Sequence, residues 1–202
     1  FQSMQLGTER IQDIVTSLRN FSRLDEAEYK QVDIHAGIDS TLMILQNRLK
    51  PTPDGTGITI VKDYDTLPMV ECYPGQLNQV FMNLIANSID ALEEYDSTRS
   101  LDEIKANPST IRISTSRVGN HSVAVYIADN GPGMSETVRS HLFDPFFTTK
   151  PIGKGTGLGL SISYQIVTDK HRGKLECHSA PGEGAEFMIE IPIRQDRSES
   201  ID

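Results

Sequence analysis

The chain has 202 residues, which is enough for one domain of ordinary size with additional segments or for two small domains. With 28 acidic and 19 basic residues, its net charge of −9 argues against general nucleic-acid binding, and no run approaches the roughly 20 apolar residues that span a bilayer. Its two cysteines, Cys72 and Cys177, belong to no metal-binding motif. Together with the missing signal-peptide pattern, this predicts a cytoplasmic location, with any membrane anchor elsewhere in a longer protein.

The first 28 residues are expected to lie outside the main domain. Residues 1–4 are typical of a cleaved expression tag, and residues 5–28 predict one helix. Its apolar residues Ile11, Ile14, Leu18 and Phe21 recur at helical spacing and form one stripe. This stripe either packs on a helix of another chain or folds back on the domain.

Residues 29–194 predict an α+β domain, followed by a frayed tail over 195–202. Asp33 suits a helix N-cap, Pro74 suits the first turn of a long helix, and Gly119-Asn120 suits a hairpin turn. The residues from Tyr95 to Ser109 are polar and predict a surface loop. The expected order is strand, helix, strand, long helix, two strands, helix, two strands, giving one mixed sheet with helices on one face.

Two short motifs place polar groups where a ligand could bind. Asn83 and Asn87 lie four residues apart on the long helix, and their oxygens suit Mg²⁺, although they could equally be solvent-facing residues of an amphipathic helix. The Asp129-Asn130-Gly131-Pro132-Gly133 segment ends a strand. Its carboxylate can accept a hydrogen bond from an exocyclic amine such as that of adenine, although a plain β-turn explains the pattern too.

Two glycine-rich segments follow. Residues 153–160 (GKGTGLGL) stand directly before a helix, where free N–H groups and the helix N-terminus can hold a phosphate, although such a run can also be a linker. The Gly182-Glu183-Gly184 turn precedes the last strand. Between the second motif and the first glycine run, Phe143, Phe146 and Phe147 lie in a long loop, which predicts a segment that docks over a site.

In this order and spacing, the motifs resemble the ATP-binding catalytic domain of two-component sensor histidine kinases, in the superfamily of DNA gyrase, MutL and the heat-shock chaperone ATPases. The match covers about residues 33–193, with an N box over 79–91, a G1 box over 129–133, an F box over 143–147, a G2 box over 155–159 and a G3 turn over 182–187. The resemblance implies a two-layer α/β sandwich of the Bergerat type.

The resemblance also implies roles for individual residues. Asn87 would ligate Mg²⁺, and Asn83 would support catalysis. Asp129 would bind the adenine amine of ATP, and Gly131 and Gly133 would shape the base pocket. Further nucleotide contacts would come from Thr149, Lys150, Lys154, Gly155, Thr156, Gly157, Leu158 and Gly159.

The implied enzyme is an ATP-dependent protein-histidine kinase. Hydrolases of this superfamily carry a glutamate at the position of Asn83, and an amide cannot act as a general base, so the resemblance favours phosphoryl transfer over hydrolysis. Two positions depart from the family. Ala185 stands where Thr or Ser is common, and Asp90 stands where some kinases have Lys.

The implied partners lie outside the chain. None of the five histidines stands in a His-Glu or His-Asp motif, so we expect the phosphoacceptor histidine on an upstream helix absent from this chain. The phosphoryl group would then pass to an aspartate in the receiver domain of a response regulator. Residues 5–28 resemble the second helix of a dimerisation hairpin, which implies a homodimer in the longer protein, and we expect no contact of this chain with nucleic acid or membrane.

Two other functions remain compatible with the motifs. One is a serine/threonine kinase of the same superfamily, and the other is a non-enzymatic module in which nucleotide binding changes contacts with a partner.

Overall fold

The computed structural model describes residues 29–51, 57–150 and 157–194. The predicted tag remnant, the predicted helix over 5–28 and the tail over 195–202 therefore lie outside the described residues, and those predictions stay untested.

The sheet is mixed, as predicted. Its strands are β2 (Thr59–Tyr64), β4 (Thr110–Val118), β5 (Ser122–Asp129), β6 (Lys174–Ser179) and β7 (Ala185–Pro192). They lie in the order β2-β4-β5-β7-β6, in which β2 and β4 are parallel and all other neighbours are antiparallel. A separate antiparallel pair joins β1 (Lys30–Val32) to β3 (Val70–Cys72).

The helices are α1 (Ile34–Leu49), α2 (Pro74–Asp96), α3 (Leu101–Ala106), α4 (Glu136–Ser140) and α5 (Gly159–Gln165). As predicted, the Asp33 carboxylate caps α1 by accepting a hydrogen bond from the His35 N–H at 2.9 Å, and Pro74 opens α2, where its missing N–H costs nothing. Helix α5 continues as a π-helix over Ile166–Lys170.

The core lies between α2 and the sheet. Because side chains alternate along a strand, Val123, Val125 and Ile127 of β5 point to the same face, and all three are buried. Leu84 and Ile85 of α2 are fully buried in the same apolar cluster. This alternation also sends the side chain of Asp129, two residues beyond Ile127, to the face that α2 covers.

Two parts of the fold differ from the sequence prediction. The expectation of a loop over Tyr95–Ser109 is wrong in part, because α3 forms there. In its capping box, the Ser100 hydroxyl accepts from the Glu103 N–H, and the Glu103 carboxylate accepts from the Ser100 N–H. The strand β3 and the short helix α4 are likewise absent from the predicted order.

Within the described ranges, no helix is both long and apolar enough to cross a bilayer.

Candidate functional site

A cavity of about 590 Å³ lies between α2, the end of β5 and the segment that follows β5. Its size is in the range of small-molecule and cofactor sites. Both apolar and polar groups line it. The apolar groups include Met134, Val138, Leu142, Phe147, Leu160 and Phe187, and the polar ones include Asn87, Asp90, Asp129, Thr149 and Lys150.

Asp129 lines this cavity and is only 8% exposed. Burial raises the pKa of its carboxyl above the ordinary value, while a 3.0 Å hydrogen bond from the Gly131 N–H favours the charged form. A buried carboxylate that lines a cavity can accept a hydrogen bond from an amine of a bound flat ring.

The glycine turns beside Asp129 are packed against each other. Gly133 has a φ of +68°, and a Cβ placed on it would lie 2.0 Å from the carbonyl oxygen of Ala180. The Gly182 N–H donates to the Pro132 carbonyl at 2.7 Å, and the Met134 N–H donates to the Ser179 hydroxyl at 2.8 Å. The predicted G1 and G3 segments therefore form one rigid wall beside the carboxylate.

The predicted asparagines of α2 have different surroundings. The Asn83 amide donates to the Gly159 carbonyl at 3.0 Å and to the Ser163 hydroxyl at 3.1 Å, so it holds the start of α5 against α2. Asn87 lines the cavity, and its amide oxygen accepts a 3.2 Å hydrogen bond from the Lys150 ammonium. An oxygen that already accepts from a cation inside a cavity is the kind of donor that suits Mg²⁺.

The structure describes part of the second predicted glycine segment. Gly157 and Gly159 line the cavity, and Leu158 precedes the first turn of α5. Gly157 has a φ of +65°, and its carbonyl accepts a 2.9 Å hydrogen bond from the Phe146 N–H. Lys154, Gly155 and Thr156 lie outside the described residues, so their predicted contacts with nucleotide stay predictions.

Two residues, Ser88 and Arg48, were missed in the sequence, and Asp90 was noted there only as a departure from the family. Ser88 is 1% exposed and lines the cavity, where its hydroxyl acts against the rise in the pKa of Asp129 that burial causes. Its signal was a small polar residue within an otherwise apolar helical stripe. Asp90 and Arg48 form an ion pair at 2.6 Å beside Lys150, which joins two elements far apart in the sequence and has no local signal.

Comparison with known proteins agrees with this geometry. Residues 72–195 match the family model described as histidine kinase-, DNA gyrase B- and HSP90-like ATPase. The chain therefore belongs to this ATPase family, whose members bind ATP, and the matched range holds α2 and every described residue that lines the cavity.

Individual relatives are histidine kinases or the catalytic domains of histidine kinases. The chain is 29% identical to the signal transduction histidine-protein kinase AtoS of Escherichia coli over 194 residues, which is 96% of this chain but 29% of AtoS. The catalytic domain of histidine kinase ThkA superposes with a TM-score of 0.65 at 27% identity, covering 82% of this chain and 96% of that domain. A solved complex of ThkA with the response regulator TrrA has the same fold, with a TM-score of 0.61 at 23% identity and coverage of 94% of this chain and 49% of that one.

Proposed function

We propose that this domain binds Mg·ATP in the cavity beside Asp129 and donates the γ-phosphoryl group to a histidine on an upstream helix. The observation that carries the proposal is that a buried carboxylate (Asp129) and an amide oxygen (Asn87) line the same cavity. A base amine and a metal-bound triphosphate need these two kinds of group in one cavity.

The proposal gives separate roles to the residues of the site. Asp129 orients the adenine, and the glycine wall at Gly131 and Gly133 lets the flat base approach the backbone closely. Thr149 and Lys150 face the phosphate end, and Gly157, Leu158 and Gly159 supply backbone next to the start of α5. Lys154, Gly155 and Thr156 complete the phosphate contacts in the proposal.

The metal would be held by Asn87. An amide oxygen at a cavity wall fits Mg²⁺, because this ion takes few protein ligands and keeps waters and phosphate oxygens as the others. Bound there, Mg²⁺ would neutralise charge on the phosphates.

The transfer itself needs little covalent chemistry from the protein. The bond between the γ-phosphorus and the oxygen bridging to the β-phosphate breaks, a bond to the imidazole nitrogen forms, the imidazole loses its proton, and ADP leaves. Asn83 cannot act as a general base toward water, since its amide donates to the Gly159 carbonyl and carries no titratable oxygen. This favours transfer to a supplied nucleophile over hydrolysis.

The partners and domain limits are part of the proposal. Residues 29–194 would be the catalytic domain, and residues 5–28 the second helix of a dimerisation hairpin in a homodimer. The phosphoryl group would pass on to a response-regulator receiver domain, in a protein working in the cytoplasm. The ThkA–TrrA complex supports this choice of partner by analogy of fold.

The test combines this chain with a separately produced dimerisation hairpin that carries the acceptor histidine, together with γ-labelled Mg·ATP. We expect acid-labile, base-stable label on the hairpin. Acid-stable label on a protein substrate would instead support a serine/threonine kinase. ATP binding without any transfer would support a nucleotide-gated module and would refute the proposed transfer.

A further inference from the structure

Charged side chains in contact with one another extend from α1 across α2 to the cavity. One Arg48 nitrogen lies 2.6 Å from Asp90 Oδ1 and 2.6 Å from Glu93 Oε2. The other oxygen of Asp90 accepts a hydrogen bond from the Lys150 ammonium, which also donates to Asn87 Oδ1 at 3.2 Å. Asp90 therefore uses one oxygen for each cation.

This arrangement differs from an ordinary surface ion pair, whose contribution is small. The side chains of Arg48, Asp90 and Lys150 are each only about a third exposed, at 36%, 33% and 31%. Burial by itself raises the pKa of the Asp90 carboxyl, but the hydrogen bonds from Lys150 and Arg48 outweigh it and lower the pKa. Asp90 thus stays charged at neutral pH, between two cations.

The charge balance of the cavity depends on this pairing. Among the residues that the structure describes, Lys150 is the only basic one that lines the cavity, while Asp90, Glu94 and Asp129 line it as carboxylates. If Lys150 swung into solvent, an incoming polyphosphate would meet the carboxylates of Glu94 and of Asp90, the latter still paired with Arg48, without this basic side chain in the cavity.

We propose that Asp90, held in place by Arg48, is a positioning residue that keeps the Lys150 ammonium at the phosphate end of the cavity. The inference rests on the proposed function, in which this cavity takes Mg·ATP. The Asn87 oxygen that now accepts from Lys150 is the one proposed for the metal, so Asp90 becomes the remaining tether of Lys150 when the metal is bound. Asp90 is acidic, yet in this arrangement it strengthens the binding of an anion.

The experiment measures the affinity of this chain for ATP, ADP and adenosine by calorimetry at fixed Mg²⁺. We expect Lys150→Met to weaken ATP binding by about tenfold or more, in line with loss of a charged hydrogen bond, and ADP binding by less. Adenosine affinity stays within about twofold, because the base end of the cavity is untouched.

The effect of Asp90→Asn on ATP affinity should have opposite signs in two backgrounds, and this difference separates a positioning role from simple repulsion of phosphate. In the unaltered chain, this variant should weaken ATP binding by roughly three- to tenfold, because Lys150 loses its tether. In the Lys150→Met background, it should strengthen ATP binding, because Asp90, although still paired with Arg48, then holds no cation in the cavity and only adds negative charge beside the phosphates. If Asp90→Asn strengthens ATP binding in both backgrounds, Asp90 merely repels phosphate and the positioning role is refuted.

Arg48→Gln tests whether Arg48 acts by holding Asp90 in place. It should weaken ATP binding in the unaltered chain and add nothing once Asp90 is already Asn, because Arg48 acts only through Asp90. Additive losses would refute that order of action.

The matched control is the Lys62–Asp39 pair, which joins β2 to α1 at 2.7 Å and does not line the cavity. Asp39→Asn should leave the affinities for all three ligands unchanged, and thermal unfolding of every variant reports whether the fold is intact. An unaltered chain that fails to bind ATP would refute the proposed function. ATP binding that does not respond to Asp90→Asn would refute only this inference.

Discussion

Replacing Gly133 by alanine should destabilise the domain and remove its nucleotide affinity. Gly133 lies in the left-handed region, with a φ of +68°, where the two glycine turns meet beside Asp129. An added Cβ would lie 2.0 Å from the Ala180 carbonyl oxygen and 3.0 Å from the Gly184 carbonyl oxygen. Both obstacles are backbone atoms, so the clash can be relieved only by moving one turn away from the other.

The expected loss of stability in Gly133→Ala has two contributions. The left-handed conformation costs a residue with a Cβ about 1–2 kcal/mol, and overpacking against fixed neighbours adds about 1–3 kcal/mol. We therefore expect Gly133→Ala to lower the free energy of unfolding by about 3 kcal/mol or more.

Two glycines separate these contributions. Gly119, with φ +58°, and Gly182, with φ +81°, share the left-handed backbone, but an added Cβ would meet nothing within 4 Å at either position. Alanine there should cost only the conformational part, about 1–2 kcal/mol.

The assay is urea unfolding followed by far-UV circular dichroism, together with calorimetric titration of ATP. Gly119→Ala should retain ATP affinity, because the hairpin between β4 and β5 is remote from the cavity. The reasoning would be refuted if Gly133→Ala were no more destabilising than Gly119→Ala, or if it bound ATP as the unaltered chain does.

Three further predictions concern the metal position, the pH dependence of stability and a helix cap. Asn87→Ala should weaken Mg²⁺-dependent ATP binding at least about tenfold without unfolding the domain, and unchanged affinity by calorimetry would contradict the metal role. Burial lowers the pKa of His171, whose Nε2 accepts from the Tyr73 N–H at 3.1 Å. Below the ordinary imidazole pKa of 6.5, the unfolded chain therefore binds more protons than the folded one. Urea unfolding should therefore show that the free energy of unfolding decreases as the pH is lowered below this value. His171→Gln should make this decrease smaller, and an unchanged slope in that variant would contradict the prediction. Ser100→Ala should remove about 1 kcal/mol through loss of the cap shared with Glu103, with ATP affinity unchanged; loss of that affinity would show that α3 supports the cavity.

Much of the fold was predictable because its elements carry regular patterns. The hairpin turn predicted at Gly119-Asn120 lies between the strands β4 (Thr110–Val118) and β5 (Ser122–Asp129). The long helix was predictable from the regular spacing of its apolar residues, although it extends to Asp96, into the segment predicted as a loop. In contrast, α3 has a single buried apolar residue, Ile104, so no period could be read there, and only its capping box signalled a helix. Strand β3 has three residues, too few for any period, and its partner β1 lies about 40 residues earlier in the chain.

The candidate site likewise contains residues that could be predicted from the sequence and a contact that could not. Asp129 could be assigned because a residue two beyond Ile127 must share its face of the strand, and Asn87 because a residue four beyond Asn83 shares its face of the helix. The contact between Lys150 and Asp90 could not be predicted, since 60 residues separate them and neither belongs to a pattern that specifies the other.

The sequence by itself determined which segments become helices and strands, and the order of motifs that identifies an ATPase of this family. Those signals come from the repeat of a strand or a helix and are complete within a few residues. Only the tertiary structure decided which charges meet, because the pairing of Arg48 with Asp90 and of Asp90 with Lys150 depends on how α1 and the segment after β5 are placed against α2. That placement results from burial of the apolar faces, which is non-directional and leaves no mark on the sequence near the charged residues themselves.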